Sequence, residues 1–287
     1  MHALSLGHPL QQLPPLGLGT ATFGQAGCDA KAEAQTIQCA LDLGIRVIDC
    51  AEMYAEGGAE AIVGQAIKQR RSEVYVTTKI NPWHANVEKM AACCHASLKR
   101  LGTEYIDLYL LHWRGPVPLD ESVYALEQLK RQGSIRDWGV SNFDLSDLNE
   151  LLAVSGTQQA IVNQVLYNPI RRYAEFELQP ELSLKENILF QAYSPFEGVR
   201  KFNFEIFESV GKTYNVSARA VVLAWIIFKG FNPIFKSTQR THVEENIRAL
   251  TLKLSPEDLS LIDMAYPFDT LRVRALERDD NASPACN

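Results

Sequence analysis

Short apolar or β-branched runs alternate eight times with longer segments of helical period along this 287-residue chain. The predicted strands are residues 16–20, 46–50, 74–80, 106–112, 135–140, 160–164, 188–193 and 233–236. The predicted helices between and after them are residues 31–43, 59–70, 87–101, 121–132, 145–153, 175–186, 204–214 and 218–229. Eight such units predict an α/β fold, a closed (β/α)8 TIM barrel rather than an open sheet.

Glycines mark where four of the predicted helices end, since a left-handed residue costs least at glycine. They are Gly44, Gly102, Gly133 and Gly230. No composition break or flexible linker interrupts the alternation, so we expect residues 1–287 to form a single domain. An N-terminal hairpin is expected over residues 4–15, extra helices over 242–250 and 256–265, and a C-terminal substrate loop and tail over 267–287.

Composition excludes several classes of partner. A net charge of −6 argues against nucleic acid or an anionic membrane surface. The chain has no apolar stretch of about 18 residues and no recognisable signal peptide, so we expect no membrane span and a cytoplasmic location. Its six cysteines lack the spacing of a disulfide framework and are expected to be reduced, buried thiols.

Four ionisable side chains fall at or just after the ends of three adjacent predicted strands. Asp49 ends the second strand and Tyr54 follows it, Lys79 lies at the tip of the third, and His112 ends the fourth. Each alone has an ordinary structural explanation, such as a turn cap or a core histidine. Together they indicate a site, because active sites of such barrels form at the carboxyl ends of the strands.

The charges of this set predict acid–base chemistry. An ammonium about 4 Å from a phenol favours the phenolate by about 4 kcal/mol at an effective dielectric constant of about 20. That would lower the pKa of Tyr54 by about three units, while Asp49 keeps Lys79 charged. His112 would orient a carbonyl oxygen beside the Tyr54 hydroxyl, a proton-donating site suited to a carbonyl that receives a hydride. No metal is expected, since the Cys93–His95 run lacks zinc-ligand spacing.

Eight segments of the chain carry a recognisable pattern: GLGTATFG, DCAEMYAEGGAEAIVG, TTKI, LYLLHW, GVSNF, NQVLYNP, AYSPF and KSTQRTHVEEN. In their order and spacing the chain resembles the aldo-keto reductases over almost its whole length. The resemblance implies a catalytic tetrad of Asp49, Tyr54, Lys79 and His112, with Tyr54 as general acid. The segments AEMYAEGGAE and LLHW look most like a bacterial branch that reduces methylglyoxal and aromatic aldehydes.

The same resemblance implies an NADP cofactor and the residues that hold it. Ser141, Asn142 and Gln164 would bond the nicotinamide carboxamide, and Tyr193 would stack on the ring. Lys236 and Ser237 would grip the 2′-phosphate, Glu245 and Asn246 would contact the adenine, and Ser194 and Phe196 would begin the loop over the pyrophosphate. Further implied cofactor contacts are Gly19, Thr20, Asp49 and Arg240.

Two departures from the family's pattern stand out. His242 replaces an arginine that often stacks on the adenine, and Arg240 is a substitute two residues earlier. We therefore expect a preference for NADPH with weaker discrimination against NADH. The second departure, Gly57-Gly58 after the catalytic loop, predicts a change in the flexibility of that loop.

Aromatic residues are expected to wall the substrate pocket beside Tyr54 and His112. They are Phe23, Trp83 and Trp113, with residues 267–274 completing the wall. Such walls favour small or flat apolar aldehydes. Trp138 and Trp225 are expected to be structural.

The leading hypothesis is a monomeric NADPH-dependent reductase of small aldehydes and ketones. The alternatives are an NADPH-binding regulatory or sensor protein with slow turnover, and a phosphosugar isomerase on the same barrel. The isomerase would need a catalytic glutamate and a glycine-rich phosphate site, and neither pattern is present in the sequence.

Overall fold

The computed structural model describes residues 14–154, 160–179, 188–197 and 204–268, and it contains a closed barrel of eight parallel strands. The strands are β1 (Gly17–Gly19), β2 (Val47–Asp49), β3 (Tyr75–Ile80), β4 (Ile106–Leu111), β5 (Ile135–Ser141), β6 (Val162–Leu166), β7 (Leu189–Tyr193) and β8 (Asn232–Lys236). Each pairs with the next strand in the sequence, and β1 pairs with β8 to close the barrel. The predicted fold and all eight strands are confirmed.

Helices surround this barrel. They are α1 (Ala30–Asp42), α2 (Gly58–Ile67), α3 (Val87–Leu101), α4 (Leu119–Arg131), α5 (Leu145–Ala153), α6 (Phe204–Tyr214), α7 (Ala218–Phe228), α8 (Arg240–Asn246) and α9 (Pro256–Ala265). The predicted bounds of α3, α5, α6 and α9 agree with the structure residue for residue. The extra helix expected over residues 242–250 begins at Arg240, and its last part is a separate 3₁₀ turn, Ile247–Leu250.

The four glycines predicted to end helices all have positive φ angles. At the end of α3, Gly102 has a φ of 62° and its N–H donates to the carbonyl of Lys99. A residue with a side chain would be strained in this conformation, which explains the choice of glycine. This part of the sequence interpretation is confirmed.

The helix predicted over residues 175–186 differs from expectation where it is described. Its first part is a π-helical turn, Ala174–Leu178, and residues 180–187 lie outside the described ranges. Glu175 in this turn accepts hydrogen bonds from Arg172 and Tyr167 and pairs with Lys229. Of these partners Lys229 is distant in the sequence, so a tertiary contact accompanies the wider turn that replaces the regular helical period suggested by the sequence.

The core lies inside the barrel wall and between the strands and helices. Trp138 and Trp225 are both buried, and their ring N–H groups donate to Glu127 and Asp263, so their predicted structural role is confirmed. The expectation that all the cysteines are buried is wrong for Cys28, which is exposed in the turn before α1. Cysteine is usually a buried residue, and the sequence around Cys28 did not show that its turn faces solvent.

Several predictions concern residues outside the described ranges. These include nearly all of the N-terminal hairpin (residues 4–15) and of the C-terminal loop and tail (residues 267–287). That residues 1–287 form a single domain therefore stays a prediction. Among the described helices, none has the length and apolar character needed to cross a membrane.

Helices α2 and α3 approach each other closely at Gly64. A methyl group at this position would lie 2.6 Å from the backbone carbonyl oxygen of Leu101. Real Cβ atoms do not come so near a backbone oxygen, so an alanine would push α2 away from α3. This contact matters to the site because α2 follows the loop that carries Tyr54.

We predict that Gly64→Ala lowers the free energy of unfolding by about 1–3 kcal/mol, the usual cost of overpacking. In an open helix the same change would raise stability, because alanine has the higher helix propensity. Urea unfolding followed by circular dichroism measures the effect. Gln65→Ala, at the exposed neighbouring position, is the control and should be nearly neutral. A Gly64→Ala variant as stable as the wild type would contradict the close approach.

Candidate active site

A buried ion pair lies at the carboxyl end of the barrel. Lys79 Nζ, in β3, is 2.6 Å from Asp49 Oδ1, at the end of β2. The Lys79 side chain is 1% exposed, and its ammonium also donates to the carbonyl oxygen of Cys50 at 2.9 Å. A third contact, 3.3 Å long, joins Nζ to the hydroxyl oxygen of Tyr54. The strands thus bring together the three side chains predicted from the sequence.

An unusual turn carries Tyr54 to this position. Ala55 and Glu56 have positive φ angles of 49° and 53°, and Gly57 follows with 89°. A side chain on Gly57 would collide with the guanidinium of Arg100, which is held by Glu60 through a 2.6 Å bond. The sequence predicted altered flexibility from the glycine pair. That flexibility stays a prediction, and the geometry adds a steric reason for Gly57, since Arg100 packs directly over its Cα.

The pKa of Tyr54 is raised, which contradicts the direction predicted from the sequence. Burial is the largest cause, and the charge of Lys79 opposes it without overcoming it. The charge of Asp49 adds to the increase. The nearby ammonium favours the phenolate, but the cost of placing a phenolate away from water is larger. Tyr54 therefore holds its proton throughout the neutral range.

His112 follows β4 directly and faces the same cavity. Burial, with a further contribution from the charge of Lys79, lowers the pKa of its imidazole to about 3. Its ring meets the Tyr54 ring edge-on at a centroid distance of 5.9 Å. A neutral imidazole carries one N–H, so His112 can donate one hydrogen bond but cannot supply a positive charge near pH 7.

A cavity of about 570 Å³ opens over these groups. It brings together most of the predicted site residues. Those that line it are Gly19, Asp49, Tyr54, His112, Trp113, Ser141, Asn142, Gln164, Tyr193, Ser194, Phe196 and Lys236. Seven of the eight strands contribute to this lining directly or through the loop that follows, as expected for a site at the carboxyl ends of barrel strands.

Hydrogen bonds fix one side of the cavity. Asn142, in the left-handed region with a φ of 58°, accepts a 2.7 Å bond from the Tyr193 hydroxyl. Its amide nitrogen donates to the carbonyl oxygen of His112 at 3.1 Å. The Ser141 hydroxyl donates to the backbone of Gln164. These bonds hold the Tyr193 ring and the Asn142 amide in set orientations before anything binds.

Gln191 is a site residue that the sequence interpretation missed. The Gln164 amide donates to Asp49 Oδ2 at 2.8 Å and to Gln191 Oε1 at 3.0 Å. Gln191 thereby orients the Gln164 amide, which in turn holds the carboxylate paired with Lys79. A signal was present in the sequence, since Gln191 interrupts the apolar run of β7 two positions before Tyr193 and so lies on the same face of the strand.

Two predicted site residues that follow β1, Thr20 and Phe23, do not line the cavity. Phe23, expected to wall the substrate pocket, is fully buried in the hydrophobic core, and Ala21 lines the cavity instead. The expectation for Phe23 is wrong because the turn after β1 points its ring inward. Thr20 is also buried, with its hydroxyl bonded to the carbonyl oxygen of Asp49, and it does not line the cavity.

The residues predicted to hold the far end of a cofactor lie beyond this cavity. Arg240 is exposed and pairs with Glu244 at 2.7 Å, within α8. Ser237 is buried, and its hydroxyl bonds the backbone of Gln239. Glu245 and Asn246 occupy the end of α8, where Asn246 is buried and Glu245 is exposed.

Trp83 and Trp113 form an aromatic pair at the edge of the cavity. Their rings meet edge-on at 5.5 Å, and Trp113 also contacts the His112 ring at 5.0 Å. Trp113 lines the cavity, whereas Trp83 is 56% exposed and lies outside the lining. Residues 269–274 of the predicted wall lie outside the described ranges.

Comparisons with known proteins agree with one another. Residues 15–267 match the sequence model of the Aldo/keto reductase family. The chain is 39% identical to methylglyoxal reductase YeaE of Escherichia coli K12, over 89% of this chain and 92% of that protein. It is 31% identical to a glyoxal reductase of Bacillus subtilis, over 95% and 92% of the two chains. A crystal structure of an aldo/keto reductase from Klebsiella pneumoniae, in complex with NADP and acetate, superposes with a TM-score of 0.86 at 38% identity, covering 90% of this chain and 93% of that one.

We predict that the His112 ring stays neutral across the physiological range. Because its pKa is lowered to about 3, its NMR signals should not shift between about pH 5 and pH 8, where an ordinary histidine titrates. Signals missing from a His112→Gln variant identify the ring. A titration midpoint near the ordinary value of about 6.5 would contradict the burial described for this site.

Proposed function

The chain belongs to the aldo/keto reductase family, and we propose that this NADP-dependent oxidoreductase reduces 2-oxoaldehydes such as methylglyoxal, and aromatic aldehydes, to alcohols. The observation that carries the proposal is the contact of the Tyr54 hydroxyl with the buried Lys79–Asp49 pair, beside a neutral imidazole at one cavity. The named activities of the relatives from Escherichia coli and Bacillus subtilis support the substrate class.

Tyr54 is the proposed general acid. Its raised pKa keeps the phenol protonated at neutral pH, so every molecule has a proton to give. The acceptor is the alkoxide oxygen that develops as a carbonyl is reduced, which is a much stronger base than a phenolate. Lys79, 3.3 Å from the hydroxyl oxygen, stabilises the negative charge left on Tyr54 once the proton has moved.

His112 is proposed to orient the substrate. Its single N–H, on a ring held neutral by burial, donates to the carbonyl oxygen of the substrate. A neutral donor polarises the carbonyl without competing with Tyr54 for the role of acid. Tyr54 and His112 together thus place two donors at one oxygen.

The residues around the cavity fit a bound NADPH, which supplies the hydride in this chemistry. Ser141, Asn142 and Gln164 present polar atoms for the carboxamide, and the Tyr193 ring is already fixed by its bond to Asn142. Farther along, Asn246 Oδ1 is buried and makes no hydrogen bond with the described residues. Such an atom suits the amino group of an adenine, as the resemblance implied.

Lys236, the last residue of β8, is the proposed anchor of the 2′-phosphate, with Ser237 beside it. Lys236 is exposed and lines the cavity, so its ammonium is accessible. The other proposed cofactor contacts are Gly19, Ser194, Phe196 and Glu245. Thr20 would make its contact through the backbone, and Arg240 would do so after its pair with Glu244 rearranges. That pairing supports the expectation of limited discrimination against NADH, because it directs the Arg240 Nε–H to Glu244 within α8.

The substrate side is proposed to be walled by Trp113 and, at the rim, by Trp83. Their edge-on pair offers apolar surface to a small or flat aldehyde. Phe23 has no part in this wall, because it lies in the core.

We predict that Tyr54→Phe lowers kcat about a hundredfold to ten-thousandfold, the usual worth of general acid catalysis, and leaves NADPH affinity nearly unchanged. Methylglyoxal and benzaldehyde reduction report the first quantity, and quenching of protein fluorescence by NADPH reports the second. Tyr124→Phe, at an exposed position of α4, is the matched control. Slow turnover that is equal in the wild type and Tyr54→Phe would favour the NADPH-binding sensor instead.

We predict that Lys236→Met lowers kcat/KM for NADPH by about tenfold or more and changes the value for NADH little. A hydrogen bond to a charged group contributes about 1.5–3 kcal/mol, and only NADPH has the phosphate. Lys212→Met, at an exposed position of α6, controls for the loss of one positive charge. An equal fall with both cofactors would place Lys236 away from the 2′-phosphate.

A further inference from the structure

Three side chains of the kinds that bind transition metals meet beside the proposed active site. Glu52 lies in the loop after β2, His84 ends the 3₁₀ turn Pro82–His84 after β3, and Cys93 lies in α3. One ligand atom of each residue lies within 4.8 Å of the others. Since they stand 32 and 9 positions apart in the sequence (84 − 52 and 93 − 84), no spacing motif reveals them.

Backbone hydrogen bonds at the end of β3 hold the Glu52 carboxylate of this cluster in place. Glu52 Oε1 accepts a 2.7 Å hydrogen bond from the N–H of Asn81, and the Glu52 N–H donates to the carbonyl oxygen of Lys79. The Glu52 side chain is only 12% exposed. Its position is therefore set by the same strand that carries Lys79.

The histidine presents an unsatisfied atom to this carboxylate. His84 Nδ1 is buried and makes no hydrogen bond with the described residues, and it lies 3.5 Å from Glu52 Oε1. Asn81 caps the turn by accepting from the N–H of Trp83, which fixes the backbone before His84. A buried ring nitrogen without a partner costs free energy unless it gains a ligand.

The thiol completes a set of sulfur, nitrogen and oxygen ligands. Cys93 is partly buried, and burial, together with the charge of Glu52, raises the pKa of its thiol. Zinc is bound by these three atom types with bonds of about 2.0–2.3 Å, so tetrahedral ligands lie about 3.5–4 Å apart. The three ligand atoms now lie within 4.8 Å of one another, so side-chain rotations must bring them closer by about 1 Å to reach that arrangement. Magnesium and calcium prefer oxygen ligands and suit the site poorly.

We propose that Glu52, His84 and Cys93 form a binding site for one zinc-class divalent cation, with a fourth position open to water. Binding forms a bond from the cation to the Cys93 sulfur and releases the thiol proton to solvent. Glu52 lies two residues before Tyr54, and His84 follows Trp83, so a bound cation links the two loops that flank the proposed pocket. The neighbouring His95 is exposed and is not a member of the cluster.

Cadmium is the probe of choice, because a cadmium–thiolate bond has its own ultraviolet charge-transfer band. Titrating the full-length protein with Cd²⁺ should produce this band with saturation at one equivalent, and Zn²⁺ should displace it. Proton release should accompany Zn²⁺ binding. Zn²⁺ should also raise the melting temperature, since a ligand that binds the folded state stabilises it.

Variants assign the ligands. Cys93→Ser should abolish the saturable band, and His84→Asn and Glu52→Gln should each weaken Zn²⁺ binding at least about tenfold. Cys28→Ser and His95→Asn, both at exposed positions outside the cluster, are the matched controls and should bind like the wild type. Circular dichroism verifies that each variant is folded, and Glu52→Gln retains the shape of the side chain.

Two results would overturn the proposal. One is a cadmium band that persists in Cys93→Ser. The other is Zn²⁺ affinity that is unchanged in both His84→Asn and Glu52→Gln, which would reduce the site to a single thiol. Neither result bears on carbonyl reduction, because none of the three residues belongs to the proposed catalytic or cofactor set.

Discussion

The buried pair of Lys79 and Asp49 is the interaction on which the site depends. Taking two such charges out of water costs several kcal/mol for each ion, and the cost is offset only when the remaining hydrogen-bonding positions are filled. Here the Cys50 carbonyl oxygen accepts from the ammonium, and Gln164 donates to the free carboxylate oxygen. With Gln191 behind Gln164, the network joins β2, β3, β6 and β7 across the barrel.

The same burial decides the state of the two groups that would touch a substrate. It raises the pKa of Tyr54 and lowers that of His112, so both are uncharged near neutral pH. A neutral phenol and a neutral imidazole can both donate hydrogen bonds, and Lys79 supplies the only formal positive charge among the tetrad. Charge separation is then required only while the proton moves, when the ammonium is already in place.

The sequence was sufficient for the barrel and for the position of side chains at the strand ends, because strand periodicity and strand ends are local features. It predicted β1–β8 and placed Asp49, Lys79 and His112 at one rim. The direction of the Tyr54 pKa shift could not be predicted from the sequence, since the cost of burying a phenolate depends on every neighbour in space. The inward ring of Phe23 and the Lys229 contact of the π-helical turn at Glu175 are likewise tertiary features, as is the meeting of Glu52, His84 and Cys93.

The packing of Arg100 over Gly57 couples two distant positions of the chain. Arg100 fills the space above the glycine while its guanidinium bonds the buried Glu60, whose other oxygen accepts from Thr78 in β3. A larger residue at position 57 would meet the strain of a φ of 89° and would also need a shorter residue at position 100, which would strip Glu60 of its counter-charge. Remodelling the tyrosine loop at position 57 therefore also involves positions 60 and 100.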